Sequence, residues 1–99
     1  MSVNTGDKKV IYQKLAKTVV DYQKQIIGPI AILQAKSITG IKITGEEDVL
    51  FTGSDPKKTL ELLVRSYADL FGKASIELSK EAVAKVHAPK NILPRILKD

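Results

Sequence analysis

The heptapeptide GSDPKKT, residues 53–59, is the first stretch whose residue types could do chemistry. It follows a strand-like run and opens a helical one, which is the setting of a phosphate-binding loop. That motif needs a second glycine directly before its Lys-Ser/Thr pair, whereas Lys57 stands there, Pro56 lacks an N–H and Asp55 would repel the anion. We interpret the segment as a helix start, with Ser54 or Asp55 as the cap and Pro56 at the first helical position.

Three consecutive carboxylates, Glu46, Glu47 and Asp48, are the second candidate, in this case for a cation site. A calcium loop spaces its ligands at alternating positions, so consecutive carboxylates favour the solvated tip of a hairpin instead. The chain has no Cys and only one His, which excludes disulfides, thiolate catalysis and metal centres rich in sulfur or histidine. We therefore predict no metal site and no cofactor.

His87 is the third candidate, and no Cys or Ser stands at a spacing that would make it a catalytic partner. It follows the predicted second helix, where a basic group interacts favourably with the helix dipole. Acidic residues of that helix precede basic ones by three or four positions, as in surface ion pairs. The pairs are Glu61–Arg65, Asp69–Lys73, Glu77–Lys80 and Glu81–Lys85. We predict a solvated helix face and a protein that is not an enzyme.

The net charge of +5 is concentrated in residues 1–44, which hold seven lysines and two aspartates. Residues 45–99 hold nine basic and nine acidic groups and are neutral. A basic half could bind nucleic acid or an acidic partner. Guanidinium groups are the usual readers of phosphates and bases, however, and neither of the two arginines lies in this half. The lysines are therefore better interpreted as solvated helix faces.

The chain has the size of a single domain, residues 1–99, with a frayed N-terminus at residues 1–7 and a tail at residues 88–99 that contains a short helical turn. The longest apolar run, residues 30–33, is far too short to span a membrane. Residues 1–9 lack the apolar stretch of a signal peptide, so we expect a cytoplasmic protein with no membrane partner. A core of this size is thin, and oligomerisation would add to it.

Residues 10–27 have a helical period, and their apolar side chains form a heptad-spaced seam that continues beyond them. Its members are Tyr12, Leu15, Val19, Tyr22, Ile26 and Leu33. Gly28 and Pro29, the two poorest helix formers, interrupt the chain before Leu33 without changing the phase of the seam. Pro29 removes the hydrogen bond to the Gln25 carbonyl, and Gly28 lets a neighbouring backbone approach. We predict a kink within one long helix, with a helix–turn–helix break as the alternative.

Two further elements follow. Residues 39–53 contain two short, alternating β-prone runs around the acidic loop, which together predict a β-hairpin. A second helical pattern covers residues 56–86 and keeps its phase past Gly72. We predict one helix there, bent near Gly72, with a stop at Gly72 as the alternative.

The predicted fold is mainly α, of the α+β class, with two long kinked antiparallel helices joined by a short β-hairpin. Two helices alone cannot surround a core, so we predict that the chain dimerises into a helical bundle. The predicted homodimer interface consists of the seam and the two helix breakers within it. Its residues are Tyr12, Leu15, Val19, Tyr22, Ile26, Gly28, Pro29 and Leu33.

The segment IGPIA, residues 27–31, resembles one that recurs in short, often C-terminal modules of bacterial signalling proteins, among them serine/threonine kinases, cyclases and response regulators. The similar stretch covers residues 24–33, and residues 67–72 are compatible with the same modules. The resemblance implies a small regulatory or interaction module, with no catalytic residues to transfer.

These features favour a non-catalytic dimeric protein-interaction or regulatory module in intracellular signalling, with a second copy of the chain and another protein as partners. The alternative is a small basic nucleic-acid-binding protein, motivated by the charge of residues 1–44. A third interpretation is a ligand-sensing domain with an apolar pocket at the helix bend.

Overall fold

The chain folds into four helices, one hairpin and two short 3-10 turns. The computed structural model describes the backbone of residues 5–98 and the side chains of residues 8–98. The helices are α1 (Thr5–Ile27), α2 (Ile30–Lys36), α3 (Pro56–Phe71) and α4 (Lys73–Ala84). The strands are β1 (Ile41–Ile43) and β2 (Val49–Phe51), and the 3-10 turns are Lys90–Ile92 and Arg95–Leu97. The predicted mainly helical class with one small hairpin is confirmed.

The first predicted helix is broken at Gly28, not kinked. Gly28 has φ +75°, in the left-handed region, and its N–H still bonds the Lys24 carbonyl at 2.9 Å before α1 ends. Pro29 then returns to helical angles, with φ −58° and ψ −19°, and α2 begins at Ile30. The predicted kink within one continuous helix is therefore wrong, because a left-handed residue terminates an α-helix. The alternative prediction, a helix–turn–helix break at this position, describes the structure.

The second predicted helix is broken in the same way. Gly72 has φ +80° and ψ −169°, and its N–H bonds the Ala68 carbonyl at 2.8 Å to close α3. Its own carbonyl accepts from the Ser75 N–H at 3.1 Å and from the Ser75 hydroxyl at 2.9 Å, which starts α4. The prediction of one bent helix over residues 56–86 is wrong, and a single glycine separates two helices.

The start of α3 confirms the interpretation of GSDPKKT as a capped helix. The Asp55 carboxylate accepts from the Lys58 N–H at 3.1 Å, and Pro56 is the first helical residue. A side-chain oxygen at this position satisfies one of the N–H groups that the first turn leaves unbonded. The segment therefore forms the N-terminal end of α3.

The predicted hairpin is confirmed. β1 and β2 are antiparallel, with Ile41 opposite Phe51 and Ile43 opposite Val49. Ile41, Val49 and Phe51 are buried, and the Phe51 N–H donates to Gln13 Oε1 of α1 at 2.8 Å. The hairpin therefore packs on the helices, as an isolated hairpin must to be stable.

The core surrounds α1, which contacts α2, β2, α3 and α4. α1 and α4 are antiparallel, since Gln23 bonds to the first half of α4 while the Tyr12 hydroxyl donates to the Ile92 carbonyl beyond the end of α4. The molecule is flat, with extents of 40 × 32 × 19 Å. Leu93 and Leu97 of the tail are buried and complete the core.

Two predictions concern the ends of the chain. Residues 1–4 of the predicted frayed N-terminus lie outside the described residues, whereas residues 5–7 already belong to α1, so the helix starts earlier than predicted. The predicted helical turn of the tail is present as two 3-10 turns, each introduced by a proline, Pro89 and Pro94.

Candidate functional site

The residues that could do chemistry are dispersed over the fold. His87 lies in the turn after α4 with φ +59°, and the three acidic residues of the hairpin tip are far from it in the chain. Among the side chains of residues 8–98, no group of three His, Cys, Asp or Glu is placed to hold a metal ion. Two of the predicted ion pairs form, Glu61–Arg65 at 3.0 Å and Glu77–Lys80 at 3.4 Å. The carboxylates of α3 and α4 therefore stabilise their own helices.

The hairpin tip is fixed to α1 through Glu47. Its backbone is left-handed, with φ +64°, and its N–H bonds the Thr44 carbonyl at 2.9 Å. The carboxylate Oε1 accepts from Lys24 Nζ at 2.5 Å. This hydrogen bond is the largest influence on the pKa of Glu47 and lowers it. Desolvation opposes it, and the charges of Lys24, Lys17 and Lys36 each contribute a smaller lowering. Lys24 thus holds the tip against the end of α1.

The ion pair predicts an acid-dependent loss of stability. Because the pKa of Glu47 is lower in the folded chain than its usual 4.5, the pair stabilises the fold above that value and stops doing so as the pH falls through the lowered pKa. We expect Glu47→Gln to be less stable than the wild type near neutral pH and to approach it under acid conditions. Urea unfolding followed by circular dichroism at both pH values measures this difference. Glu46→Gln, at the exposed neighbouring position, should have the same stability as the wild type at both pH values. Equal losses of stability in the two variants would contradict a stabilising ion pair between Glu47 and Lys24.

The residues of the predicted interface separate into three groups. Tyr12, Leu15 and Val19 are buried in the core of the chain itself. Tyr22 and Gly28 are half-buried, and Ile26, Pro29 and Leu33 are exposed. α4 packs on α1 and covers the first turns of the seam. It can do so because the break at Gly72 separates α4 from α3. Only the part of the seam from Ile26 onward is open to another molecule.

Five large apolar side chains, here called the apolar patch, are exposed around the two glycine breaks. They are Ile26, Ile30, Leu33, Leu70 and Phe71. Ile26 is 70% exposed, Leu33 64% and Leu70 55%, so most of the surface of each side chain faces water. Large apolar residues scattered singly need no explanation, whereas a group of them at one end of a small protein does.

Two hydrogen bonds place the α2 and α3 parts of the apolar patch side by side. The Tyr67 hydroxyl donates to the Ala31 carbonyl at 2.6 Å, and Gln34 Nε2 donates to the Ser66 hydroxyl. Ile30 and Leu33 flank these contacts on α2, while Leu70 and Phe71 follow one turn later on α3. The side chains that α2 and α3 leave uncovered therefore lie at the same end of the molecule.

The buried amide of Gln23 brings the end of α1 to the same place. Gln23 is 1% exposed, and its Nε2 donates to the Ser75 carbonyl at 3.0 Å and to the Ser79 hydroxyl at 3.2 Å. Since α1 and α4 are antiparallel, Ile26, one turn beyond Gln23, lies beside the start of α4 and hence near Gly72. Both glycine breaks thus border the apolar patch.

The two buried tyrosines, Tyr12 and Tyr67, each donate a hydrogen bond from a neutral hydroxyl to another element of the fold. Burial raises the pKa of Tyr67 above its usual value. Burial also raises the pKa of Tyr12, with a further contribution from the negative charge of Asp55. A hydroxyl that stays protonated can keep its hydrogen bond, so Tyr67 joins α3 to α2 and Tyr12 joins α1 to the tail.

Sequence patterns did not identify Ile30, Leu70, Phe71 or Gln23 as residues that form the site. Leu70 and Phe71 were detectable in part, because adjacent helical residues point about 100° apart and cannot both face a narrow core stripe. Gln23 had no comparable pattern, since a polar residue on a lysine-rich helix is normally solvated. Its burial depends on the fold of α4 over α1.

No protein-family model matches the chain, and the searches find no similar curated protein and no similar solved structure. Among the described helices, none is long and apolar enough to cross a bilayer. The resemblance of residues 27–31 to modules of signalling proteins stays a prediction.

Proposed function

We propose that this protein is a non-catalytic interaction module that pairs with a second copy of itself through the apolar patch. The observation behind the proposal is the exposure of Ile26, Ile30, Leu33, Leu70 and Phe71 around the two glycine breaks, whereas the other exposed large apolar side chains, Val10, Leu50 and Leu62, lie on three different elements. Covering a large apolar side chain is worth up to about 1.5–3 kcal/mol, so five of them supply a strong driving force for association.

The charges around the apolar patch favour self-association. Lys36 follows Leu33 on α2, and Asp69 and Lys73 flank Leu70 and Phe71; all three charged side chains are exposed. A surface with both signs of charge at its rim can pair with itself, because a two-fold axis places each residue of one copy opposite a different residue of the other. A rim of one sign would instead repel its copy.

A regulatory role in intracellular signalling, the second part of the proposal, depends on the IGPIA segment. Gly28 ends α1 with a left-handed backbone, Pro29 precedes α2, and Ile26, Ile30 and Leu33 on either side of this break are exposed. The wider stretch of the resemblance, residues 24–33, thus contains three of the five residues of the apolar patch. A module of this kind would act by bringing together the proteins to which its copies belong.

Nucleic-acid binding is the competing proposal, and it is based on the positive net charge of residues 1–44. Two lysines of that half are engaged in ion pairs, Lys17 with Asp21 at 3.0 Å and Lys24 with Glu47 at 2.5 Å. Phosphate binding needs cations that are free to displace counterions. Protein interaction is therefore the better-supported function, and duplex binding that weakens steeply with salt would reverse this order.

The proposal predicts that Ile26→Asp weakens dimerisation at least tenfold, or by about 1.4 kcal/mol. A carboxylate in the apolar patch would have to be buried without a partner, once in each copy. Sedimentation velocity over a range of micromolar concentrations measures the dissociation constant. Circular dichroism should show an unchanged helical content, since Ile26 is 70% exposed in the single chain.

Val10→Asp is the matched control. Val10 lies on the same helix and is 61% exposed, but it stands 16 residues, or about 24 Å, from Ile26. Its substitution should leave the dissociation constant unchanged. A wild-type protein that remains monomeric throughout the concentration range, or equal effects of the two substitutions, would refute pairing through the apolar patch.

A further inference from the structure

A cleft lies at the far end of α4, between its last turn and the C-terminal tail. After α4 ends at Ala84, the chain turns at His87, whose φ of +59° is unusual for a residue with a side chain, and folds back along the helices. The tail is held there by the buried Leu93 and Leu97. This cleft, which is open to solvent on one side, has a volume of about 710 Å³, within the range of small-molecule sites.

The floor and the rim of the cleft differ in chemistry. Val83, Leu93 and Leu97 give it an apolar floor. The basic side chains that line it are Lys80, His87, Lys90 and Lys98. Among the described lining residues there is no Asp or Glu, so the charge of this cleft is not balanced within its own walls.

A neighbouring cleft shows that this imbalance is not a general property of the tail. The second cleft, of about 340 Å³, shares Leu93 and Lys98 with the first. Its cations are offset by Asp55 and Glu61, which line it as well. The two sides of the same tail therefore differ in charge. Of these two clefts, the one facing α4 combines an apolar floor with a lining that has basic residues and no acidic one among the described residues.

We infer that the cleft binds an amphipathic anion, a molecule with an alkyl chain and a carboxylate or phosphate head. The alkyl chain would pack on Val83, Leu93 and Leu97 and so remove its own apolar surface from water. The head would lie near Lys90 and Lys98, because Lys80 already pairs with Glu77 at 3.4 Å. Several cations around one apolar recess attract an anion more strongly than any exposed lysine does alone, since the recess limits screening by water.

This site is separate from the apolar patch and from the pocket predicted at the helix bend. Ala84 closes α4, whereas the patch borders the start of the same helix, 11 residues or about 17 Å away. The inference therefore does not rest on the proposed dimerisation. Ligand binding in the cleft and dimerisation through the apolar patch can each be refuted without affecting the other.

The test is a titration of the ¹⁵N-labelled protein with decanoate and, in a second arm, with decyl phosphate, both below their micelle concentrations. We expect saturable shifts of the amides of Val83, His87, Leu93 and Leu97 in at least one arm, and the stronger arm identifies the head group. Decanol, which has the chain without the charge, and acetate, which has the charge without the chain, should each bind at least tenfold more weakly.

Two variants locate the binding. Ala84→Trp, at an exposed position in the wall of the cleft, should fill it and abolish the shifts while leaving the sedimentation behaviour unchanged. Lys90→Glu combined with Lys98→Glu should weaken binding at least tenfold, and Lys42→Glu, an exposed lysine on β1, should not. Absence of shifts in both arms, shifts that follow the apolar patch, or decanol binding as tightly as decanoate would overturn the inference.

Discussion

Replacing Tyr67 with alanine is expected to lower the free energy of unfolding by about 3–5 kcal/mol, the range for removing a large aromatic side chain from a core. Tyr67 is fully buried and is the largest of the fully buried side chains. Leu60, Leu63 and Val64, on the same helix, are also fully buried. The loss combines a cavity in a flat molecule with removal of the bond to the Ala31 carbonyl. Urea denaturation followed by circular dichroism measures it, and a loss below about 1 kcal/mol would contradict the assigned packing.

Tyr67→Phe separates the hydroxyl from the ring. We expect it to cost only about 1 kcal/mol, because the ring still fills its site and one neutral hydrogen bond is lost. It should also change the response to alkaline pH. Since burial raises the pKa of Tyr67, the unfolded chain ionises first as the pH rises past 10.0, and the stability due to the neutral side chain is lost from there upward. The phenylalanine variant should lose less stability over that range than the wild type.

Replacing Gly72 with alanine is expected to destabilise the protein by about 1–3 kcal/mol. Its φ of +80° and ψ of −169° lie in a backbone region that is essentially restricted to glycine. A Cβ at this position would meet nothing within 4 Å, so the expected cost is backbone strain without any steric clash. The sign of the effect is informative. In a continuous helix, the same substitution would stabilise the chain by up to about 1 kcal/mol, because alanine is the better helix former.

Gly45→Ala is the matched control for Gly72→Ala. Gly45 is exposed at the hairpin tip, a Cβ there also meets nothing within 4 Å, and its φ is not in the left-handed region. We expect a change within about 0.5 kcal/mol. A stabilised Gly72→Ala variant, or equal effects at both glycines, would show that α3 and α4 are not separated as described.

Local features of the fold were predictable, and the two helix breaks were not. The hairpin, the Asp55 cap and the apolar face formed by Tyr12, Leu15 and Val19 on α1 depend on residues close together in sequence, and all three are present. The breaks at Gly28 and Gly72 were interpreted as bends because the apolar phase continues across them. Phase alone cannot distinguish a bend from a reversal: Leu33 keeps the phase of the seam, yet it is 64% exposed because α2 leaves Gly28 in a new direction.

The candidate site was predictable only in part for the same reason. Ile26 and Leu33 were predicted as contact residues and are exposed, whereas Tyr12, Leu15 and Val19 are buried in the chain itself. The prediction assumed that a second copy must cover the seam. The break at Gly72 instead supplies α4, which covers it within one chain. The cleft beside the tail involves residues from three elements, and no pattern along the sequence brings them together.

The central position of α1 bears on how the protein can be dissected. α1 contacts α2, β2, α3 and α4, and the tail reaches it through Tyr12. In a molecule only 19 Å thick, each of these neighbours separates α1 from solvent on one side. Deleting any one of them would uncover the same helix, so we expect the chain to unfold as one cooperative unit. Studies of its parts therefore require point substitutions in the intact chain, since fragments would lose the helix on which every other element depends.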